Sequence, residues 1–496
     1  MFLSNEQRQT TTMLSFEAND INGSQIMTDT PDPLAAGPSV PPHPLGIKPL
    51  GNKYFHNGKN ARDHLGSLQV LPDEMLMQLL EFLDQHALRL LGYTCRFLFA
   101  HCISDDLWKS IFLESELANQ SSFEWLGTWR ATLLSLPQDQ PIQIDCGDVF
   151  SDVLHRPFVC SNISLQRFTA NIPARNEIDR FKDLSYAEFA EKWSTKPFIL
   201  TKYIQSWPAY QSWSVEKLLE YQYMINSHDE SPLYLFDRKF AEKMGLQVGK
   251  EEGAAYWKPD CFGSDLFELL GPARPAHRWL IIGPERSGST FHKDPNATSA
   301  WNAVIRGAKY WIMFPPAAEV PGVYVSQDNS EVTSPLSIAE WLLEFQAEAR
   351  KLPQCREGIC RAGEVLHVPS GWWHLVVNME AGIALTQNFV PKSHLPEVLC
   401  FLKDKPEQIS GFTRDIVDPY SLFVARLREE YPDLLEDGLR QLADRQAQKK
   451  RRWDLAVGNT VNEDEDEPHK KNSTGFSFGF GFGDEEKDEE ENEISQ

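Results

Sequence analysis

Residues 363–390 read GEVLHVPSGWWHLVVNMEAGIALTQNFV. Three apolar runs rich in Val, Leu and Ile are cut by Pro-Ser-Gly and by Glu-Ala-Gly, so the stretch reads as strand, turn, strand, turn, strand. Short antiparallel strands at this spacing imply a sandwich or a jelly-roll barrel. Upstream, KPFILTKY (196–203), SPLYLFD (231–237) and RWLIIGPE (278–285) add β-rich runs punctuated by Gly and Pro. Residues 335–352 have helical spacing and interrupt the strands as an insertion, and residues 395–453 are helical by pattern.

The chemistry sits in residues 289–314, STFHKDPNATSAWNAVIRGAKYWIMF. On a strand, residues i and i+2 share a face, so His292 and Asp294 project together and Lys293 points away. One more imidazole would complete the two-His-one-carboxylate triad of non-haem Fe(II) oxygenases, which keeps positions open for a chelating co-substrate and dioxygen. His374, in GWWHLVV, is the natural third ligand. A lone histidine in an apolar strand is more often a core residue than a ligand, and His367 in EVLHVP is read as that. Residues 300–314 read as a hairpin, with strands 300–305 and 309–314 around a turn at 306–308. Lys309 then stands among Tyr310, Trp311, Ile312, Met313 and Phe314, where an ammonium is costly to bury unless it meets an anion. The plainer alternative is that it snorkels to solvent from the strand's start. Asn302, Thr386 and Asn388 are polar residues in apolar strands, either bonding within the same cavity or facing water at an edge.

These stretches together resemble the Jumonji-C oxygenases, most closely the branch of the bifunctional arginine demethylase and lysyl hydroxylase. The likeness covers residues 181–390 and rests on His-x-Asp, Thr-Ser-Ala-Trp-Asn, Gly-x-Lys, Gly-Trp-Trp-His and Thr-Gln-Asn-Phe. It implies an α+β protein built on a double-stranded β-helix, the cupin-like jelly-roll barrel, with helical flanks. It also implies Fe(II) and 2-oxoglutarate as cofactors, with His292, Asp294 and His374 as iron ligands and Lys309 as partner of the distal 2-oxoglutarate carboxylate. Asn302, Thr386 and Tyr234 match positions around the co-substrate, and Asn388 a polar position near the metal. Ser289 stands where the branch has threonine, which keeps a hydroxyl. The implied activity is oxidation of a protein substrate, lysyl hydroxylation first and methyl-lysine or methyl-arginine demethylation as the alternative. The intact triad with Lys309 favours an enzyme over a cupin-like binding protein.

A second resemblance lies at residues 67–114. LPDEMLMQLLEFLD, then LRLLGYTCRFLFAHCISDDLWKSIF, is similar to a small all-α F-box, which docks on a Skp-type adaptor of a cullin–RING ubiquitin ligase. Pro72, Asp73 and Glu74 suit a helix start; a second helix is expected from Ala87 to about Cys102 and a third around Trp108. A substrate receptor of such a ligase is therefore the rival function, and a helical cap packed on the barrel the plain one. The layout is an arm (1–60), the F-box-like unit (65–115), a linker with helices (116–179), the oxygenase domain (180–392), C-terminal helices (393–453) and an acidic low-complexity tail (454–496).

Composition sets the outer limits. The 496 residues carry a net charge of −23, ten units of it after position 460, which disfavours direct nucleic-acid binding and suits a basic protein partner. The eight cysteines lack zinc-knuckle spacing, and neither a signal peptide nor a membrane span is visible. The basic run Lys449, Lys450, Arg451, Arg452 reads as a nuclear address or as the basic end of a helix. The expected location is the nucleus, with the cytoplasm open, and the oligomeric state is left open.

Overall fold

The computed structural model describes residues 40–55, 60–115, 124–136, 144–214, 230–250, 252–326, 331–335 and 337–458. Its strands are β1 Asp179–Phe181, β2 Phe198–Leu200, β3 Leu235–Asp237, β4 Arg278–Gly283, β5 Gly288–His292, β6 Ser299–Arg306, β7 Ala308–Phe314, β8 Tyr324–Val325, β9 Val332–Thr333, β10 Arg356–Arg361, β11 Val365–Val368, β12 Trp373–Asn378 and β13 Gly382–Phe389. A seven-stranded sheet runs β1-β2-β11-β6-β13-β4-β3, and a four-stranded sheet runs β10-β7-β12-β5; β8 and β9 pair only with each other. All neighbours are antiparallel except β1 and β2.

Side-chain alternation makes the two large sheets a barrel. From β6, Ala300 and Val304 pack with Trp311 and Met313 of β7, Cys360 of β10, Leu366 and Val368 of β11 and Val376 of β12, an apolar layer between the sheets. The intervening residues face outward: Trp301, Ala303 and Ile305 pack under residues 184–262, and Tyr310, Ile312, Phe314, Leu375 and Val377 pack under the helical insertion. That insertion forms the helices Ile338–Glu344 and Gln346–Lys351, within the expected span. Helices Leu395–Asp404, Pro419–Glu430 and Pro432–Gly458 form a further apolar cluster with residues 266–270 and Val390.

From β4 to β7 and from β10 to β13 consecutive strands alternate between the two large sheets, and this corrects one expectation. β6 and β7 are not a hairpin; they lie in different sheets. Gly307, at φ 78°, turns the chain across, and a Cβ there would meet the Ala381 carbonyl at 2.8 Å. The turn residues were legible, but local pattern does not say with which strand a segment pairs.

The N-terminal unit differs in two respects from expectation. Residues 40–55 and 60–64, assigned to or beside the arm, are ordered: Leu45, Ile47 and Ala61 are buried with Leu76, Leu80, Phe97 and Trp108. Residues 1–39 lie outside the described residues. The helix expected from Ala87 to Cys102 is two, Gln85–Gly92 and Arg96–Cys102. The break has a local cause, since the Thr94 hydroxyl donates to the Leu91 carbonyl and Cys95 is extended. The expected linker carries the helices Trp129–Leu134 and Asp152–Asn162, and Trp129 and Leu154 join the same core. The tail from Asn459 lies outside the described residues. No described helix is long and apolar enough to cross a membrane.

The tightest approach in the barrel is at Gly288, where an added Cβ would lie 2.0 Å from the Val376 carbonyl oxygen. Gly288→Ala should force β5 off β12 and destabilise the fold by about 1–3 kcal/mol, read as a lower thermal midpoint. An unchanged midpoint would contradict the stated strand contact.

Candidate metal centre

β5 and β12 bring the two histidines face to face. His374 is the Cα partner of His292 across the ladder, and their ring centroids are 4.1 Å apart. The chain leaves the strand after His292 but stays extended at Asp294 (φ −62°, ψ 146°), so the i, i+2 relation survives. One ligand atom from each of His292, Asp294 and His374 lies within 4.8 Å of the others. Lys293 points away, donating to the Pro316 carbonyl at 3.2 Å with its Nζ 4.4 Å from the centre of the Trp373 ring.

Backbone carbonyls set the tautomers. His292 Nδ1 lies 2.7 Å from the Thr290 oxygen, and His374 Nδ1 lies 3.0 Å from that of Trp372. A carbonyl only accepts, so each Nδ1 carries the proton and each Nε2 keeps a lone pair. Burial lowers both imidazoles to about 4, helped at His292 by His374. Burial raises the Asp294 carboxyl to about 6, against opposing effects of His292 and Asn388. At neutral pH the cluster is two neutral imidazoles and one carboxylate. Asp294 Oδ1 accepts from Asn388 Nδ2 at 3.4 Å, while its buried Oδ2 has no hydrogen-bond partner among the described residues. Such an orphaned oxygen is costly unless something cationic meets it. Two nitrogens and one oxygen with an unpartnered charge fit Fe(II).

Lys309 is buried, 4% exposed, so it does not snorkel. It makes no ion pair among the described residues. Its Nζ donates to Asn378 Oδ1 at 2.7 Å, and burial pulls the ammonium down to about 8, with Cys360 opposing. Asn302, Thr386 and Asn388 alternate with outward-packed Trp301, Leu385 and Phe389, so all three face the interior. Asn302 Oδ1 is buried without a partner among the described residues. Thr386 Oγ1 donates to the Trp301 carbonyl at 3.1 Å, and Asn388 Nδ2 donates to Thr298 Oγ1 at 2.9 Å. The Tyr234 and Ser289 hydroxyls lie 3.0 Å apart. His367 faces outward instead, its Nδ1 3.1 Å from the Lys196 carbonyl and its ring among Phe189, Phe198 and Phe262. Asn378 and Ser287 were not anticipated. Asn378 lies four residues after His374 in the alternating run HLVVN, which was the available signal.

A family model described as a cupin-like domain matches residues 248–394, and one described as F-box-like matches residues 68–114. The chain is 36% identical to the arginine-specific demethylase JMJ22 of Arabidopsis thaliana over 461 residues, covering 85% of this chain and 89% of that protein. The chain belongs to the Jumonji-C oxygenase family. It is also 32% identical over 302 residues to the bifunctional arginine demethylase and lysyl-hydroxylase psr-1 of Caenorhabditis elegans, 53% of this chain and 71% of the relative. It is 28% identical over 173 residues to the 2-oxoglutarate and iron-dependent oxygenase JMJD4 of Gallus gallus, 34% and 40% respectively. This Jumonji-C protein is thus an enzyme whose cofactors are Fe(II) and 2-oxoglutarate, with an F-box-like unit before its cupin-like barrel.

The sign of the pH dependence follows from the cluster. Above pH 6 the three groups are ready to ligate; below it Asp294 takes up a proton that a metal must displace. Apparent affinity of the apo-protein for a divalent metal should therefore fall about fivefold between pH 6 and 5, measured by calorimetric titration. A flat profile there would contradict a carboxyl raised to about 6 at Asp294.

Proposed function

We propose that this protein oxidises a C–H bond on a basic side chain of a protein substrate, with iron held by His292, Asp294 and His374 and the distal carboxylate of 2-oxoglutarate held by Lys309. The observation that carries the reading is the coexistence of an orphaned carboxylate oxygen and a buried ammonium without an ion-pair partner in one barrel interior. Iron and 2-oxoglutarate, when bound, would supply the activation of dioxygen, one oxygen atom of which replaces hydrogen as hydroxyl while the other enters succinate as CO2 is released. The chain's own part is to bind, orient and exclude water. Neutral histidines fixed by carbonyls at Nδ1 present Nε2, and Asn388 steadies Asp294 through Oδ1 while leaving Oδ2 to the metal. Asn302, Thr386, Tyr234 and Ser289 shape the co-substrate side.

The target carbon decides the outcome. On a lysine the product is the hydroxylated side chain; on an N-methyl group the hydroxymethyl collapses to formaldehyde and the methyl is lost. The near full-length likeness to an arginine-specific demethylase favours methyl-arginine as the first substrate to test. Likeness to a bifunctional relative supports lysyl hydroxylation as the second. With Fe(II), 2-oxoglutarate and oxygen, a methyl-arginine peptide should lose a methyl group with matching formaldehyde and succinate, followed by mass spectrometry. Gain of one oxygen on a lysine peptide instead would assign hydroxylation. Turnover of neither, in protein that consumes 2-oxoglutarate, would contradict a basic target.

A role for the F-box-like unit is part of the proposal. Helix Asp73–Glu81 buries Leu76 and Leu80, yet Met75 and Leu79 are each 50% exposed and Phe82, just past its end, is 86% exposed. This second apolar stripe supports docking of a Skp-type adaptor. Phe82→Asp should abolish adaptor capture by the purified protein and leave its thermal midpoint unchanged; capture that persists would contradict this face. Action in the nucleus is proposed on the basic run at 449–452, carried by helix Pro432–Gly458.

A further inference from the structure

Lys309 and Asn378 are Cα partners across β7 and β12, and the ammonium donates to Asn378 Oδ1 at 2.7 Å. The amide cannot turn over. Its Nδ2 donates to Ser287 Oγ at 2.8 Å, and the Ser287 hydroxyl donates to the Pro284 carbonyl at 2.7 Å. Because that carbonyl only accepts, Ser287 must give its proton there and receive one from Asn378, which leaves the amide oxygen toward Lys309. The backbone repeats the tie, with Arg286 N donating to Asn378 O and Asn378 N to Ser287 O, both at 2.8 Å. Asn378 is 2% exposed and Ser287 1%. The relay fills the space over Gly283, where an added Cβ would stand 2.3 Å from Ser287 Oγ, 2.8 Å from Tyr234 Cβ and 3.0 Å from Asn378 Nδ2.

We infer that Asn378, aligned by Ser287, is a positioning residue that aims the Lys309 ammonium while leaving its charge unneutralised for the co-substrate's distal carboxylate. This rests on the assignment of Lys309 to 2-oxoglutarate made above. A carboxylate at 378 would have nearly the same shape but would pair with Lys309 directly. The ammonium would then be neutralised before the co-substrate arrives, and an incoming dicarboxylate would meet a like charge. A neutral amide takes one of the three N–H groups and leaves two to point at a ligand. The side chain at 378 thus selects for a co-substrate with a second carboxylate without contacting the metal ligands.

The test is calorimetric binding, without oxygen, to Mn(II)-loaded full-length protein. Probes are 2-oxoglutarate and 2-oxobutyrate, which lacks the distal carboxylate. Wild type should prefer 2-oxoglutarate. Asn378→Asp should weaken 2-oxoglutarate by about tenfold or more, with 2-oxobutyrate, Mn(II) affinity and the thermal midpoint unchanged. Asn378→Ala should also weaken 2-oxoglutarate selectively, because the ammonium loses its aim. Equal 2-oxoglutarate affinity in wild type and Asn378→Asp, alongside a wild-type preference for the dicarboxylate, would overturn this inference alone. So would a parallel loss of Mn(II), 2-oxobutyrate and thermal stability, which marks a merely structural asparagine. Absence of any wild-type preference would overturn the Lys309 assignment and this inference with it.

Discussion

A lysine ammonium held between two sheets with only a neutral amide against it is an expensive object. Burial disfavours the charge, and the protein supplies no carboxylate to offset it among the described residues. The rest of the fold supplies the stability that such a site consumes. Both outer faces of the barrel carry large apolar layers, one under residues 184–262 and one under the helical insertion, and the C-terminal helices add a further cluster. An interior tuned for ligands is tolerated where surrounding packing over-determines it.

The same burial gives the metal centre its charge state. Carbonyls of Thr290 and Trp372 hold the imidazole protons at Nδ1, and desolvation keeps both rings neutral down to about pH 4. Asp294 ionises near 6 and is left with one oxygen unmet. One physical cause, removal from water, therefore prepares two neutral donors, one anionic donor and one cation waiting for an anion. The barrel brings them together because residues of β5, β6, β7, β12 and β13 share its inner face.

Much of this was legible in the sequence, for reasons specific to each segment. His292 with Asp294, and His374 in its own strand, could be paired because period-two alternation places polar residues of apolar strands on one face. Lys309 stood out because a lysine amid Tyr310, Trp311 and Ile312 needs an explanation. The strands of residues 363–390 were readable from Pro-Ser-Gly and Glu-Ala-Gly. What failed was long-range. The supposed hairpin at 300–314 spans two sheets because Gly307 redirects the chain and the partners of β6 are β11 and β13, each more than 50 residues later. Asn378 and Ser287 were missed because the relay is made by a turn, 284–287, and a strand end far apart in sequence. The N-terminal arm was drawn too long because Leu45 and Ile47 are isolated apolar residues in a Pro-rich context, and only tertiary packing recruits them.

An oxygenase barrel and an F-box-like unit in one chain invite two accounts of the protein, as an enzyme and as a receptor, and the chelated co-substrate separates them. The most direct measurement is the visible metal-to-ligand charge-transfer absorption of purified protein mixed with Fe(II) and 2-oxoglutarate in the absence of oxygen, with Asp294→Ala beside it. The account predicts a band in the wild type that is absent from the variant. A folded, iron-loaded wild-type sample with no band would contradict it.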